Sequence, residues 1–388
     1  MTNIFDYLKW RGDISFNAYP LNEIDSIIFS QLSYIPYDNI VSSDMTIKGI
    51  SLNELYNKHF NDPRNPIKIG ALFPEKKMIE LIKSTAECER FKDVRIRGYV
   101  NEIDLKHEKQ FSAMCFDLPD NTTYVAFRGT DDTIVGWKED FNMSLFTPVP
   151  AQKEAVDYLN EVGKHTENKL YVGGHSKGGN LSIYSSFLAN KETQEKIIKI
   201  HSFDGPGFRF GFLKQARKNR FLVERVTNFI PESAIIGAIF DTIGKRIYIK
   251  SKAKSGLRQH DVFTWKIEYT KLGRALSLSE SSIQFHNSLE EMVADMTEEE
   301  KKDLVEALYK LGTANDAETL SDILTNKFKF ISALFKVDGK SKKTMWKSFK
   351  DVFKRYLGID TKKTTSRLTK HDKEVLQKAS VISKNKIK

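Results

Sequence analysis

The chain is poor in cysteine and lacks any long apolar run. Its two cysteines, Cys88 and Cys115, form no metal-ligand spacing and are too few for a disulfide framework, so a reducing compartment is expected. No segment approaches the roughly 20 apolar residues needed to cross a bilayer. The N-terminus also lacks the basic start and apolar core of a secretion signal. These absences predict a soluble cytoplasmic protein.

Two kinds of cofactor site are missing from the sequence as well. No glycine-rich dinucleotide fingerprint follows a predicted strand, and no phosphate-binding P-loop is present. Histidine, cysteine and carboxylate residues do not cluster at metal-ligand spacing, so we expect neither a metal nor a cofactor. The 388 residues are enough for one large core and an extension.

Positive charge is concentrated at the C-terminal end. Residues 336–388 contain 17 Lys and Arg against 5 Asp and Glu, whereas the rest of the chain contains 44 against 46. Such a tail suits an anionic partner, and we expect a membrane surface rather than nucleic acid. The protein would then be peripheral at the membrane. The alternative is a solvated surface that only maintains solubility.

Apolar periodicity predicts strands that alternate with helices, as in a three-layer α/β sandwich. The predicted strands are 94–101, 111–117, 123–127, 169–173, 196–203, 221–230, 246–250 and 261–268. Four regions follow from this pattern: a helical lead-in packed on the core (1–92), an α/β core (93–285), a helical region (286–358) and a flexible Lys-rich tail (359–388). Thr297 and Glu300 have the spacing of a helix capping box. The pattern of residues 341–358 predicts a basic amphipathic helix.

The segment most indicative of function is Gly174-His-Ser-Lys-Gly178, which fits the pattern G-x-S-x-G of a nucleophile elbow. The strand-like run 169–173 precedes it and a helical run follows. A sharp strand-to-helix turn requires small residues around Ser176 and presents its hydroxyl to a base and a substrate. At the x position, His175 is expected to pack beside the serine without titrating.

A second motif lies upstream and completes a resemblance. Phe127-Arg-Gly-Thr130, followed by Trp137 and Asp140 and then by the elbow, resembles the class 3, fungal-type lipases. Segments 5–13 and 203–208 also resemble a bacterial lipase-like family of unestablished function. The resemblance covers residues 1–285 and implies an α/β-hydrolase fold that cleaves ester bonds, with residues 133–137 as a lid.

The resemblance also implies which residues do the chemistry. Lipase-like enzymes take one oxyanion donor from the N–H after the nucleophile, here Lys177, and the second from the upstream loop, here Thr130. They place the catalytic histidine on a loop after the last strands, where His260 stands. The alternative base is His286, whereas His201 lies inside a predicted strand and is expected to be structural.

The triad acid has two candidates. The fungal pattern would put an aspartate just after the strand that ends near Phe229, but this chain has Asn-Phe-Ile-Pro-Glu232 there. Asp204, at the end of the preceding predicted strand, occupies another position that α/β-hydrolases use. We favour Asp204 over Glu232, although a turn-forming role would also suit Asp204.

The sequence therefore predicts a serine esterase, lipase-like and acting on acyl lipids through an acyl-serine intermediate. The catalytic residues would be Ser176, His260 and Asp204, with Thr130 and Lys177 forming the oxyanion hole. The alternative is a catalytically idle hydrolase fold that binds a lipid or a protein, which the missing aspartate after Phe229 motivates.

Overall fold

The computed structural model describes residues 2–61, 74–104, 109–130, 139, 142–143, 148–254, 256, 258–294 and 296–302. An eight-stranded sheet lies at the centre of the fold. Its strands are β1 (Ile50–Ser51), β2 (Arg95–Asp104), β3 (Lys109–Asp117), β4 (Thr122–Phe127), β5 (Lys169–His175), β6 (Ile197–Phe203), β7 (Val226–Pro231) and β8 (Lys245–Ile249). They follow one another in spatial order. Neighbours from β1 to β4 are antiparallel, and those from β4 to β8 are parallel. A small ribbon adds β9 (Ile267–Glu268) and β10 (Lys271–Leu272).

Helices cover both faces of this sheet. Those described are α1 (Ile4–Arg11), α2 (Glu23–Leu32), α3 (Leu52–Leu55), α4 (Glu75–Glu87), α5 (Pro150–Lys164), α6 (Lys177–Leu188), α7 (Lys191–Lys196), α8 (Phe210–Ala216), α9 (Arg220–Val223) and α10 (Glu280–Ala294). Asn3 and Asn22 begin α1 and α2, each through a capping box. Among the helices of the described residues, none combines the length and the apolar composition of a membrane span.

Side chains of the central strands alternate between two apolar cores. On β3, Met114 and Phe116 join the core beneath α1, α2 and α4, whereas Ala113 and Cys115 join the core beneath α5 and α6. This is the two-residue period expected of a strand buried on both faces. The chain therefore has the predicted three-layer α/β-hydrolase architecture, with its helical N-terminal lead-in packed on the sheet.

Two predicted strands are wrong in part. Within 221–230, Asn219 accepts a hydrogen bond from the N–H of Leu222 at 3.2 Å and caps a helical turn, so that the strand begins only at Val226. Within 261–268, Asp261 accepts from the N–H of Phe263 at 2.9 Å and starts a short 3₁₀ turn. The aromatic run there is buried as expected, but a local side-chain cap overrides its strand propensity.

The described residues end at 302 and therefore include only the beginning of the predicted C-terminal region. The Thr297 capping box is confirmed: its N–H donates to Glu300 Oε2 at 2.8 Å, and its Oγ1 accepts from the Glu300 N–H at 3.2 Å. The predicted helix 341–358 and the tail 359–388 lie outside the described residues, as do residues 131–138 and 140, which include the expected lid, Trp137 and Asp140. The four regional boundaries stay predictions.

Candidate active site

Ser176 occupies a sharp turn between β5 and α6. Its backbone has φ 58° and ψ −131°, a left-sided conformation that a non-glycine residue adopts only when its surroundings impose it. The glycines around it explain how: a side chain at Gly174 or at Gly178 would collide with the carbonyl oxygen of Phe127. The two glycines therefore let the turn press against the end of β4, and Ser176 forms the apex.

Asp204 and His260 are brought together although 56 residues separate them. Asp204 directly follows β6, and His260 ends a 3₁₀ turn, Arg258–His260. The distance from His260 Nδ1 to Asp204 Oδ2 is 2.6 Å, while Asp204 Oδ1 accepts from the N–H of Gly237 at 2.9 Å. Asp204 is 1% exposed, so its carboxylate is oriented by these two donors rather than by water.

The loop that carries His260 is anchored through its neighbour Gln259. The Gln259 side chain accepts from the Ser233 N–H at 2.8 Å and donates to the Ala253 carbonyl at 2.9 Å. Its backbone carbonyl accepts from the indole N–H of the buried Trp265 at 2.6 Å. A short loop fixed by three such bonds holds the imidazole with little freedom to turn away.

The elbow histidine links the serine turn to the same loop. His175 Nε2 lies 3.0 Å from the carbonyl oxygen of His260, and the Tyr34 hydroxyl lies 3.1 Å from His175 Nδ1. Because a carbonyl can only accept, Nε2 carries the proton and Nδ1 accepts from Tyr34. Burial, with a smaller contribution from the nearby His260, holds the pKa of His175 well below its usual range. His175 is therefore a neutral positioning group.

The upstream loop lies directly against the serine. A side chain at Gly129 would stand 3.0 Å from Ser176 Cβ and would collide with the Tyr34 hydroxyl. This packing puts the backbone of Gly129, and with it the adjoining Thr130, beside Ser176. On the other side, Lys177 is the first residue of α6, where a backbone N–H has no acceptor within the helix.

The side chain of Lys177 points away from the site into a buried ion pair. Its Nζ lies 3.0 Å from Glu139 Oε2 and donates to the Gln110 carbonyl at 2.8 Å. The Glu139 carboxylate also accepts from the N–H groups of Gln110 and Ala151, each at 3.0 Å. A buried pair with its remaining hydrogen bonds satisfied fixes geometry, and this one ties the first turn of α6 to β3 and α5.

The Ser176 hydroxyl and the His260 imidazole are not hydrogen-bonded to each other within the described structure. The rings of His260 and His175 are nevertheless 4.3 Å apart, which puts the imidazole beside the serine turn. In unliganded hydrolases the contact between nucleophile and base is often longer than in a complex. The arrangement is thus an ordered acid–histidine pair next to a serine elbow.

The alternative candidates are placed elsewhere. Glu232 follows β7, and its carboxylate makes no hydrogen bond to a described histidine. His286 lies on α10, with its Nδ1 2.8 Å from the carbonyl of Ala238. His201 is buried on β6 with its Nδ1 2.8 Å from the Ser26 hydroxyl, and burial lowers its pKa to about 3.

Tyr34 and Glu139 were not anticipated from the sequence. Tyr34 lies 141 residues before His175, and nothing in the helical pattern of residues 22–34 distinguishes its hydroxyl. For Glu139, the only available signal was the need of a buried Lys177 for a carboxylate partner. Among the described residues, no group of three or more histidines, cysteines and carboxylates could hold a metal.

Comparison with known proteins gives one family and a set of solved structures. The sequence model of the family described as Mbeg1-like matches residues 85–310, more than half of the chain. A search of the curated proteins finds no match.

The similar solved structures share little sequence identity with this chain, and two of the three described below are titled lipases. The native Rhizomucor miehei lipase propeptide complex is 16% identical over 43% of this chain and 58% of its own, with a TM-score of 0.31. A lipase from Rhizopus microsporus var. chinensis is 13% identical over 48% of this chain and 74% of its own, with a TM-score of 0.31. A mutant form of MDLA from Penicillium cyclopium is 11% identical over 64% of this chain and 83% of its own, with a TM-score of 0.36. The chain thus spans less than two thirds of the Rhizomucor protein.

Proposed function

The chain belongs to the Mbeg1-like family, and we propose that it is a serine hydrolase that cleaves carboxylic esters of acyl lipids. The observation that carries the proposal is the hydrogen bond between His260 and Asp204, at 2.6 Å, beside a serine held at φ 58° in an elbow. A buried carboxylate on one imidazole nitrogen leaves the other nitrogen available as a base. The lipase-like sequence motifs support acyl lipids as the substrate class.

In the proposed reaction the Ser176 hydroxyl attacks the ester carbonyl while His260 Nε2 takes its proton. Asp204 keeps the proton of His260 on Nδ1 and stabilises the imidazolium that forms. The same histidine then protonates the departing alcohol, which leaves an acyl-serine. Water, deprotonated by His260, attacks the acyl-serine and releases the fatty acid and the free enzyme.

The oxyanion of each tetrahedral intermediate would be held by the N–H groups of Lys177 and Thr130. Supporting this are the position of Lys177 at the start of α6, where the helix dipole favours negative charge, and the contact of Gly129 with Ser176. The Lys177–Glu139 pair would keep the first of these donors in place, because it fixes the residue that supplies the N–H.

Labelling with a fluorophosphonate probe tests the proposal. Wild type should become phosphonylated at Ser176, and Ser176→Ala should not react at all. We expect His260→Ala to slow labelling about 10²–10⁴-fold, the usual contribution of a general base. Thermal unfolding of each variant serves as the control for folding. Absence of labelling in folded wild type, both alone and with vesicles of anionic lipid, would contradict the proposal.

The second candidate is a hydrolase fold that binds a lipid or protein without turnover. The missing hydrogen bond between Ser176 and His260 favours it, because a hydroxyl without a base contact is a weak nucleophile. The two candidates separate in the probe experiment, since an idle fold stays unlabelled whereas a hydrolase does not.

We further propose recruitment to an anionic membrane through the basic residues 336–388, which would make a cytoplasmic protein peripheral at the membrane. Supporting this is the excess of 12 positive charges in that segment, 17 basic against 5 acidic residues. Salt-sensitive binding to anionic vesicles is the expected behaviour, and nucleic acid is not expected to compete for it.

A further inference from the structure

The crossover between β6 and β7 is a basic and aromatic surface within the folded core. Residues 209–225 contain six Lys and Arg and one Glu. We call its exposed part the α8–α9 surface, defined by Phe210, Lys214, Arg217, Lys218, Arg220 and Phe221. It is separate in sequence from the basic tail 336–388.

Helix α8 has one apolar face packed inward and one exposed face. Leu213 and Ala216 are buried, and Phe212 stacks on Tyr184 with the ring centroids 5.2 Å apart. Phe210, Lys214 and Arg217 are spaced by four and three residues, which puts them on the same side of the helix. The exposed face therefore combines an aromatic ring with cations instead of mixing opposite charges.

Both phenylalanines of this surface are open to solvent. Phe210 is 70% exposed and Phe221 43%, and the guanidinium of Arg225 lies 3.6 Å from the centre of the Phe221 ring. A single exposed apolar residue is ordinary on a protein surface. Two aromatic rings set among four cations are a composition typical of surfaces that lie at a membrane interface.

The cations of the α8–α9 surface have no carboxylate partners among the described residues. Lys214, Arg217, Lys218 and Arg220 form no ion pair there, whereas Lys196 on neighbouring α7 lies within 4.0 Å of Glu192 and Glu167. At the N-terminal end of α8, Arg209 does face acidic groups, since it acts electrostatically on Glu290 and Glu298. The uncompensated charge is thus confined to the face that carries Phe210 and to the following turn.

This surface adjoins the candidate active site through the chain itself. Asp204 is followed by only five residues before Phe210, so α8 begins near the carboxyl edge of the sheet, where Ser176 also lies. A membrane held against α8 would bring lipid to this edge.

We propose that the α8–α9 surface docks the protein on a membrane that contains anionic lipid. The cations contact the phosphate and carboxylate headgroups, and Phe210 and Phe221 enter the interface between headgroups and acyl chains. Charge complementarity selects this occupant: unpaired cations gain from an anionic layer, and exposed rings gain from an apolar one. Docking does not depend on the reactivity of Ser176.

The test measures how the full-length protein partitions onto vesicles of phosphatidylcholine and phosphatidylserine with ether-linked chains, which an esterase cannot cleave. We expect Lys214→Glu/Arg217→Glu/Lys218→Glu to weaken partitioning at least about a hundredfold, because each cation at an anionic surface contributes about fivefold. The matched control Lys48→Glu/Lys169→Glu/Lys245→Glu changes the net charge equally at exposed lysines elsewhere, and it should retain most of the binding.

Two further measurements make the result specific to this surface. Phe210→Ser/Phe221→Ser should weaken partitioning at least about tenfold while leaving the charge unchanged. Vesicles should also slow backbone hydrogen exchange in residues 209–221. The proposal is overturned if wild type does not bind, or if the α8 triple variant binds like its control, since the tail would then supply the attraction.

The outcome is distinguishable from that of the proposed hydrolase activity. Ser176→Ala should bind these vesicles as wild type does, because no step of docking uses the hydroxyl. Loss of probe labelling with intact partitioning would overturn the hydrolase and leave the docking surface standing. Intact labelling in detergent with no partitioning would do the reverse.

Discussion

Two buried carboxylates, Asp25 and Asp204, each lie 2.6 Å from a basic side chain, but their surroundings differ. Asp25, on α2, accepts hydrogen bonds from both Nε and Nη2 of Arg90, and its Oδ1 also accepts from the Tyr7 hydroxyl at 2.7 Å. The remaining N–H groups of Arg90 reach backbone carbonyls that include those of Ile14 and Pro20. Both side chains of this pair are completely shielded from solvent.

The pair at the candidate site, Asp204 and His260, has one nitrogen without a hydrogen-bond partner among the described residues. The His260 side chain is 12% exposed, and its Nε2 makes no hydrogen bond within the described residues. A guanidinium stays protonated at any ordinary pH, whereas an imidazole exchanges its proton near neutrality. The saturated pair therefore holds the N-terminal helices on the sheet, and the incomplete pair is suited to move a proton.

Replacing each aspartate by asparagine should have two different effects: a loss of labelling rate at Asp204 and a loss of stability at Asp25. Asp204→Asn cannot keep the proton of His260 on Nδ1, and we expect probe labelling to slow about 10⁴-fold with the fold retained. Asp25→Asn leaves the buried Arg90 without its counter-charge, and we expect the free energy of unfolding to fall by about 3–5 kcal/mol. Labelling rates and urea unfolding measured on both variants check the pattern.

The two variants act as controls for each other. If Asp204→Asn lost stability as Asp25→Asn does, its slower labelling would be a folding defect. If Asp25→Asn slowed labelling of the folded fraction as strongly as Asp204→Asn, the distinction would be wrong between a structural pair, Asp25–Arg90, and a catalytic pair, Asp204–His260.

A third test uses the buried His201, which packs on the N-terminal region and should make the stability of the protein depend on pH. His201 packs against Ser26, and burial, helped by Lys199, lowers its pKa to about 3. Below about pH 6.5 the unfolded chain binds a proton that the folded chain cannot, so stability falls as the pH falls toward 3, by at most about 1.4 kcal/mol per unit. His201→Asn, which keeps a polar group near Nδ1, should flatten this slope between about pH 4.5 and 6.5.

The control for this effect is the rate of probe labelling, measured over the same pH range. It should be unchanged in His201→Asn when each rate is corrected for the folded fraction. A stability slope equal to that of wild type would exclude His201 as a source of acid sensitivity and leave it to groups such as His175, whose pKa is also lowered.

Much of the fold was predictable because its signals are local. Alternating apolar residues indicated the strands from β2 to β6, and the glycines around Ser176 indicated the elbow. Where a side-chain cap competes with an apolar run, as Asn219 and Asp261 do, propensity gave the wrong element. The sequence could not distinguish a capped aromatic turn from a strand, since both bury the same side chains.

The candidate site was predictable from its motifs and, through the family resemblance, in the choice of His260 and Asp204. Ser176, Lys177 and Thr130 belong to motifs, and the structure pairs His260 with Asp204 rather than with Glu232. That pairing depends on where two loops end in space, which no spacing encodes. Tyr34 and Glu139 are harder still, because each acts through long-range contacts from a segment with no motif of its own.

The smallest expected effect concerns Tyr34, which joins the two regions compared above. It follows α2 and hydrogen-bonds to His175, whose other nitrogen holds the His260 carbonyl. Tyr34→Phe removes the donor to Nδ1, so the proton of His175 can move there and the bond to His260 is lost. We expect the maximal rate of phosphonylation to fall about tenfold, a change of about 1.4 kcal/mol. The probe concentration at half-maximal rate should not change, because Tyr34 acts on the base and not on probe binding. If Tyr34→Phe lowered only the stability and left the maximal rate unchanged, Tyr34 would contribute to packing alone, and the reaction would depend on Asp204 and His260 without it.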